Sequence, residues 1–108
     1  MKDKVYRMLR DATGLPAMFL QRPSEFPSLT YHFYGMGGRL FGEGRAVRTG
    51  GTCQVDLWGK DGKNEDWAER IVAAILRTFG VNAEWTEDYE EQDKVYHTVI
   101  TFEFVKER

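Results

Sequence analysis

The sequence has little of several features that mark whole classes of protein. Its 108 residues include a single cysteine, Cys53, which excludes an internal disulfide framework and a cysteine-based zinc site. Fifteen basic and 17 acidic residues leave a net charge of −2, which argues against a protein that wraps nucleic acid. No apolar run approaches the roughly 20 residues that span a bilayer, and the N-terminus lacks the apolar core of a signal peptide. We therefore expect one soluble domain over residues 1–108, made inside the cell.

Two segments show the spacing of amphipathic helices. The first helix is predicted over residues 2–13 and ends at Gly14, and the second is predicted over residues 65–79 and ends at Gly80. We expect Asn64 to cap the second helix, because an asparagine side chain accepts hydrogen bonds from the first turn. The apolar positions are Val5, Met8, Leu9 and Ala12 in the first helix and Trp67, Ala68, Ile71, Val72, Ile75, Leu76 and Phe79 in the second.

The remaining segments favour β-strands. A short apolar run covers residues 17–20, and β-branched and aromatic residues predict a strand over 29–34. Clean alternation predicts a strand over 52–58, and two further strands are predicted over 81–91 and 94–105. The order is then α-β-β-β-α-β-β. It predicts an α+β fold in which an antiparallel or mixed β-sheet carries two helices, both packed on one face.

Residues 35–51 are unusually rich in glycine. Seven of these seventeen residues are glycines, and the segment also holds Arg39, Arg45 and Arg48 against one acid, Glu43. Ordering so many glycines is entropically costly, so we predict a long mobile Gly/Arg-rich loop or, alternatively, an extended hairpin. Loops of this length are uncommon in small domains and are usually functional.

The segment from Glu84 to Asp93 is strongly acidic. It contains six acids in ten residues and no base: Glu84, Glu87, Asp88, Glu90, Glu91 and Asp93. It lacks the alternating acids and central glycine of an EF-hand, so a dedicated calcium site is not expected. Two interpretations remain open. The acids either protect an edge strand from unwanted pairing or form a surface complementary to a basic partner.

The sequence lacks the residue sets typical of catalysis and cofactor binding. It contains no P-loop, no dinucleotide-binding glycine motif and no serine elbow. Cys53 lies on an apolar strand face and is predicted to be a buried core thiol. His32 and His97 lie on separate strands without carboxylates at ligand spacing, so we predict that both are structural. Trp58 faces away from Cys53, towards the second sheet face or an interface. We expect no enzyme activity, no metal and no cofactor.

The order of the elements and several strand motifs are together typical of one family. The residues concerned are Pro27, Thr30-Tyr31, Gln54-Val55-Asp56-Leu57-Trp58, Lys60, Tyr89-Glu90, Asp93, Tyr96-His97 and Phe102. In these features the chain resembles the tail-terminator, or tail-completion, proteins of long-tailed bacteriophages and prophages. The likeness spans nearly the whole chain, although each motif is a strand pattern rather than a chemical signature. The segment 35–51 departs from the family pattern by its length and glycine content.

The resemblance implies a structural assembly protein of the virion tail, made in the bacterial host cytoplasm. Such proteins form a homo-hexameric ring on the head-proximal end of the tail tube, stop tube polymerisation and provide the head-joining surface. The implied partners are further copies of the same chain, the tail-tube protein and a head-closure or neck protein, with no membrane. Two alternatives are another head–tail connector, such as a head-closure or neck protein, and a small ligand-binding regulatory domain with an apolar pocket.

A closed head-to-tail ring requires two different surfaces that complement each other. Charge segregation suggests candidate contact residues for these surfaces: Arg39, Arg45, Arg48, Glu84, Glu87, Asp88 and Glu90. In one interpretation the arginines meet the acids of the next subunit. In the other, the arginines line the lumen of the ring and contact DNA non-specifically.

Overall fold

The computed structural model of the chain describes residues 1–42 and 45–107, with side chains over residues 1–38 and 49–105. The elements are α1 (Lys2–Thr13), β1 (Ala17–Phe19), β2 (Ser28–Gly42), β3 (Arg45–Gly59), α2 (Asn64–Phe79), β4 (Glu84–Glu90) and β5 (Val95–Glu107). The predicted α+β fold and its α-β-β-β-α-β-β order are confirmed. No helix in this part of the chain is long and apolar enough to cross a membrane.

The five strands form one mixed sheet in the order β1-β2-β3-β5-β4. Strand β1 runs parallel to β2, whereas β2–β3, β3–β5 and β4–β5 are antiparallel pairs. Both edge strands are shorter than their neighbours. Strand β1 reaches only to the pair Phe19–Tyr31, and β4 reaches only to the pair Glu84–Thr101.

The glycine-rich segment forms most of a long hairpin. Residues 35–42 belong to β2 and residues 45–51 belong to β3, so a loop over all of 35–51 is wrong and the hairpin alternative is what the structure contains. Glu43 and Gly44 lie outside the described residues. The two strands stay paired because the ladder tolerates register shifts, the first of which follows Tyr34 at Gly35, where φ is 63°. Strand β5 supports the other side of β3 as far as the pair Arg48–Glu107.

Both helices pack on the same face of the sheet, as predicted. Val5 and Leu9 of α1 and Ile71 and Ile75 of α2 are fully buried, in one cluster with the inward side chains of β2, β3 and β5. The inward side chains of the sheet are Leu29, Tyr31, Cys53, Val55, Leu57, Ile100, Phe102 and Phe104. The prediction that Cys53 is a core thiol is confirmed, since it is 0% exposed.

The glycine ends of both helices are confirmed, but the role predicted for Asn64 is wrong. Gly14 and Gly80 adopt left-handed conformations with φ of 72° and 69°. Helix α2 begins at Asn64 itself, and this side chain is buried beneath the strands. Its Nδ2 donates to the carbonyl oxygens of Leu57 (3.3 Å) and Tyr96 (3.0 Å) and to Oγ1 of Thr98 (3.1 Å). Asn64 therefore ties the start of α2 to the ends of β3 and β5.

Replacing Asn64 with alanine should destabilise the fold. The substitution leaves two strand carbonyls without this buried donor, which should lower the free energy of unfolding by about 1–3 kcal/mol. Urea denaturation of Asn64→Ala measures the loss, and Asn82→Ala, at an exposed asparagine, is the matched control. Equal stability of Asn64→Ala and the control would contradict this tethering role.

The buried thiol should make stability depend on alkaline pH. Burial raises the pKa of Cys53 from 9.0 to about 12. Above pH 9 the unfolded chain releases a proton that the folded chain retains, so the free energy of unfolding falls as the pH rises. The expected extra loss between pH 9 and pH 10 is about 1 kcal/mol relative to Cys53→Ala. Urea denaturation of both proteins at the two pH values measures the difference, and parallel pH dependences would contradict the prediction.

Candidate functional site

The face of the sheet opposite the helices, called here the open face, carries mostly polar side chains. Alternation along each strand and the register between strands determine which residues share this face. They are Thr30, His32 and Tyr34 of β2, Thr52, Gln54, Asp56 and Trp58 of β3, Glu84, Thr86, Asp88 and Glu90 of β4, and His97, Val99, Thr101 and Glu103 of β5. The open face is the candidate functional surface because the helices leave it uncovered.

A hydrogen-bonded cluster occupies one end of the open face. The indole N–H of Trp58 donates to Oγ1 of Thr30 at 3.1 Å. The same indole stacks on the ring of His97, with centroids 3.9 Å apart and planes inclined by 5°. The prediction that Trp58 faces away from Cys53 is therefore confirmed, with Trp58 on the second face of the sheet.

Asp56 is the acid at the centre of this cluster. One carboxylate oxygen lies 2.8 Å from Nε2 of His97, and Nε2 of Gln54 donates to the same oxygen at 3.1 Å. When the carboxylate is ionised, Nε2 of His97 is the donor of this contact, because an ionised carboxylate only accepts hydrogen bonds. The Asp56 side chain is only 10% exposed and that of His97 is 25% exposed. The contact therefore stabilises a carboxylate that is largely removed from water.

Sequence reasoning missed the contact between Asp56 and His97. The two residues are 41 positions apart and lie on β3 and β5. Alternation places Asp56 beside Trp58 on one face, but it does not show which residue of β5 lies opposite. That register depends on the packing of both strands against the helices, for which the sequence contains no local signal.

Within the described residues, neither a nucleophile on the His97 ring nor a set of metal ligands accompanies this cluster. His97 uses Nε2 to bind Asp56, and no described hydroxyl or thiol nucleophile is hydrogen-bonded to its ring. Among residues 1–42 and 45–107, no three His, Cys, Asp or Glu residues are arranged to hold a metal ion. The arrangement is chemically suited to fixing the orientation of Trp58 and His97 on the open face.

Several hollows border the open face. A cavity of about 70 Å³ beside the cluster is lined by Arg22, Pro23, Phe26, Trp58, Glu90 and Asp93. A wider groove of about 480 Å³ lies towards the hairpin and is lined mainly by Tyr34, Thr52, Glu84, Thr101 and Glu103, with Val81 and Asn82 at its side. This groove follows the edge of β5 beyond the point where β4 begins.

The predicted acidic surface is divided between the two sides of β4. Glu84, Asp88 and Glu90 pair with Thr101, His97 and Val95 and belong to the open face. Glu87 belongs to the helix side, where its carboxylate accepts a hydrogen bond from Thr98 at 3.4 Å. Glu87 therefore lies on the other side of β4 from Glu84, Asp88 and Glu90, because side chains alternate across a strand.

The three candidate arginines lie in the hairpin. Arg39 belongs to β2, and the backbones of Arg45 and Arg48 pair with Gly42 and Leu40. Their side chains lie outside the described part of the structure. Their backbone positions lie beyond the end of the apolar core, with Arg39 on β2 and with Arg45 and Arg48 on the central strand β3.

Comparison with known proteins supports the fold alone. No family model and no curated protein matches the chain. One solved structure that carries no functional name matches 100% of this chain and 96% of its own, with a TM-score of 0.55 and 12% sequence identity. At that identity the match shows a shared fold and assigns no function.

Removing the imidazole of His97 should destabilise the protein through Asp56. In His97→Ala the buried carboxylate loses its closest partner, which should lower the free energy of unfolding by about 1–3 kcal/mol. The double variant Asp56→Asn/His97→Ala should recover part of this loss, since a neutral amide is cheaper to bury without a partner. Urea denaturation measures both variants. His32→Ala is the control, and an equal loss in that variant would contradict the role of the contact.

Proposed function

We propose that this protein is a non-enzymatic assembly subunit that forms a head-to-tail ring and caps the head-proximal end of a phage tail tube. The observation that carries the proposal is that the sheet has two unlike sides. Towards one edge lies β4 with its acids. Towards the other lies β2, which forms the glycine- and arginine-bearing hairpin together with the central strand β3. A ring of identical subunits requires such a pair of different, complementary surfaces on each copy.

The shape of the chain also supports an assembly role. The molecule measures 52 × 26 × 21 Å, with a radius of gyration of 14.9 Å. A compact chain of this length has a radius of gyration of about 13 Å. The extra length follows the long strands of the hairpin, which continue beyond Phe104 at the end of the core. A projecting hairpin adds contact surface without adding to the core.

The acids of β4 are available to a partner. Glu84 and Asp88 are exposed, and with Glu90 they form no ion pair with a side chain that the structure describes. Unpaired carboxylates on one side of a subunit favour a basic surface on its neighbour. The arginines of the hairpin are the natural candidates for that surface.

Pairing of the two charged surfaces has a geometric requirement. Arg48 lies opposite Glu107, whereas Glu84 lies opposite Thr101, six residues earlier along β5. At roughly 3.3 Å per residue the two levels are about 20 Å apart. Neighbouring copies can bring them together only if the strands are inclined to the ring axis. With strands along the axis, the arginines instead meet the lumen or the tail tube.

Charge reversal in the hairpin should distinguish these two uses. If the arginines pair with acids, Arg45→Glu/Arg48→Glu should lower the solution mass measured by light scattering over a concentration series. Adding Asp88→Lys/Glu90→Lys should then restore it in part. Glu87→Lys is the matched control, because Glu87 lies on the helix side of the same strand. Normal assembly of the arginine variant would contradict the pairing and favour the lumen.

Imaging the fractions used for light scattering tests the proposed function. Negative-stain images of the assembled fractions should show a ring of six subunits with a central hole. In the parent phage, deletion of the gene should give tails of abnormal length, since nothing then stops tube growth. Tails of normal length that fail to join heads would instead indicate another head–tail connector.

A further inference from the structure

Beyond the apolar core the sheet narrows to three strands, β2, β3 and β5. Strand β1 pairs with β2 only as far as Tyr31, and β4 pairs with β5 only as far as Thr101. Strand β2 nevertheless continues to Gly42 and β5 continues to Glu107. Within residues 1–42 and 45–107, no strand flanks these two outer edges. Gly35, at the register shift in β2, is set apart because it has a contact of its own. Each edge therefore presents backbone N–H and C=O groups that a further strand could bind.

The strands β4 and β2 differ in how their outer edges are protected. Natural proteins protect edge strands with charged side chains, prolines or short length, and β4 has both short length and several acids. From Phe33 to Gly38, β2 contains no charged residue and no proline. An edge without such protection can pair with a strand that reaches it.

Exposed apolar side chains lie along both edges of the narrow sheet. Tyr34 is 46% exposed and Met36 is 51% exposed on β2, and Val105 is 50% exposed on β5. Tyr34 and Val105 belong to the same face, the open face, on opposite sides of β3. A partner strand at either edge would cover these side chains as well as satisfy the backbone.

We infer that the outer edge of β2 in one copy of this chain hydrogen-bonds to the outer edge of β5 in the next, so that one sheet continues from subunit to subunit. The inference rests on the proposed head-to-tail ring and names its interface. The chain itself carries both edges of this contact, since they lie on opposite sides of the same three strands. The occupant of each edge is therefore a second copy.

The strand directions specify how the copies meet. Strands β2 and β5 are each antiparallel to β3, so they run parallel to one another within a subunit. Rotation about a ring axis keeps that direction, and β2 pairs with β5 of the neighbour in parallel. A twofold dimer would instead pair β2 with β2 in antiparallel fashion. The two arrangements bring different residues together and are separable by cross-linking.

Engineered cysteines should trap the proposed contact. Glu103→Cys on β5 is combined in turn with Tyr34→Cys or Gly37→Cys on β2, which belong to the same face of the sheet as Glu103, and the pair that links best reports the register. Within one subunit these strands are two spacings apart, about 10 Å, which exceeds the roughly 7 Å limit for a disulfide. Any disulfide is therefore intermolecular. Mild oxidation and a non-reducing gel should show a ladder of linked oligomers up to the closed ring.

Matched controls come from the same strands. Thr101→Cys lies on the same face of β5 as Glu103, but β4 flanks it through the pair Glu84–Thr101. Combined with the same β2 cysteines, it should give no ladder. The unmodified chain should stay monomeric on the gel, because Cys53 is fully buried. Circular dichroism of each variant checks that the fold is retained.

The outcomes separate this interface from the proposed function. A ladder with Glu103→Cys and none with Thr101→Cys supports the continuous sheet. Rings seen by light scattering and negative stain without any ladder would overturn the strand pairing and leave the proposed function standing. Dimers formed by Tyr34→Cys alone, with no higher oligomers in the double variants, would indicate the twofold arrangement and overturn both. Monomers at every concentration with no disulfide would also contradict both.

Discussion

The molecule depends on one strand, β3, which is hydrogen-bonded along both edges. It pairs with β2 from Ser28–Trp58 to Gly42–Arg45 and with β5 from Arg48–Glu107 to Gly59–Tyr96. Its inward residues lie at the centre of the core, and its outward residues build the cluster around Asp56. The two faces cannot be altered independently, because a slip of one residue would exchange them. The helices, the hairpin and the open face are all positioned by this strand.

The sequence predicts those elements whose signals are local. The predicted helix over 2–13 has the same bounds as α1, because apolar spacing defines its buried face and Gly14 defines its end. Alternation in 52–58 correctly separates Cys53 from Trp58. Features that depend on partners distant in the sequence were not predictable. Asn64 has the residue type of a cap, but buried strand carbonyls take its side chain, and Asp56 meets His97 only through the register of β3 and β5.

The glycine-rich segment shows how composition alone can mislead. Glycine suggests disorder because ordering it is entropically costly, yet most of 35–51 is strand. Pairing with β3 on one side, and of β3 with β5 on the other, offsets part of that cost through backbone hydrogen bonds. The glycines leave positions in the projecting sheet that carry no side chain. At those positions another backbone can approach closely.

The glycine-rich composition of the hairpin is relevant to assembly. In the free chain, β2 beyond Tyr31 has β3 on one side, and its glycines supply little packing to compensate for the missing flank on the other. A neighbouring β5 would supply that flank together with apolar cover for Tyr34 and Met36. The added backbone hydrogen bonds and the apolar cover would then form in the same step, when two copies join. The acids of β4 are consistent with this arrangement, since charged side chains discourage pairing at a short edge strand.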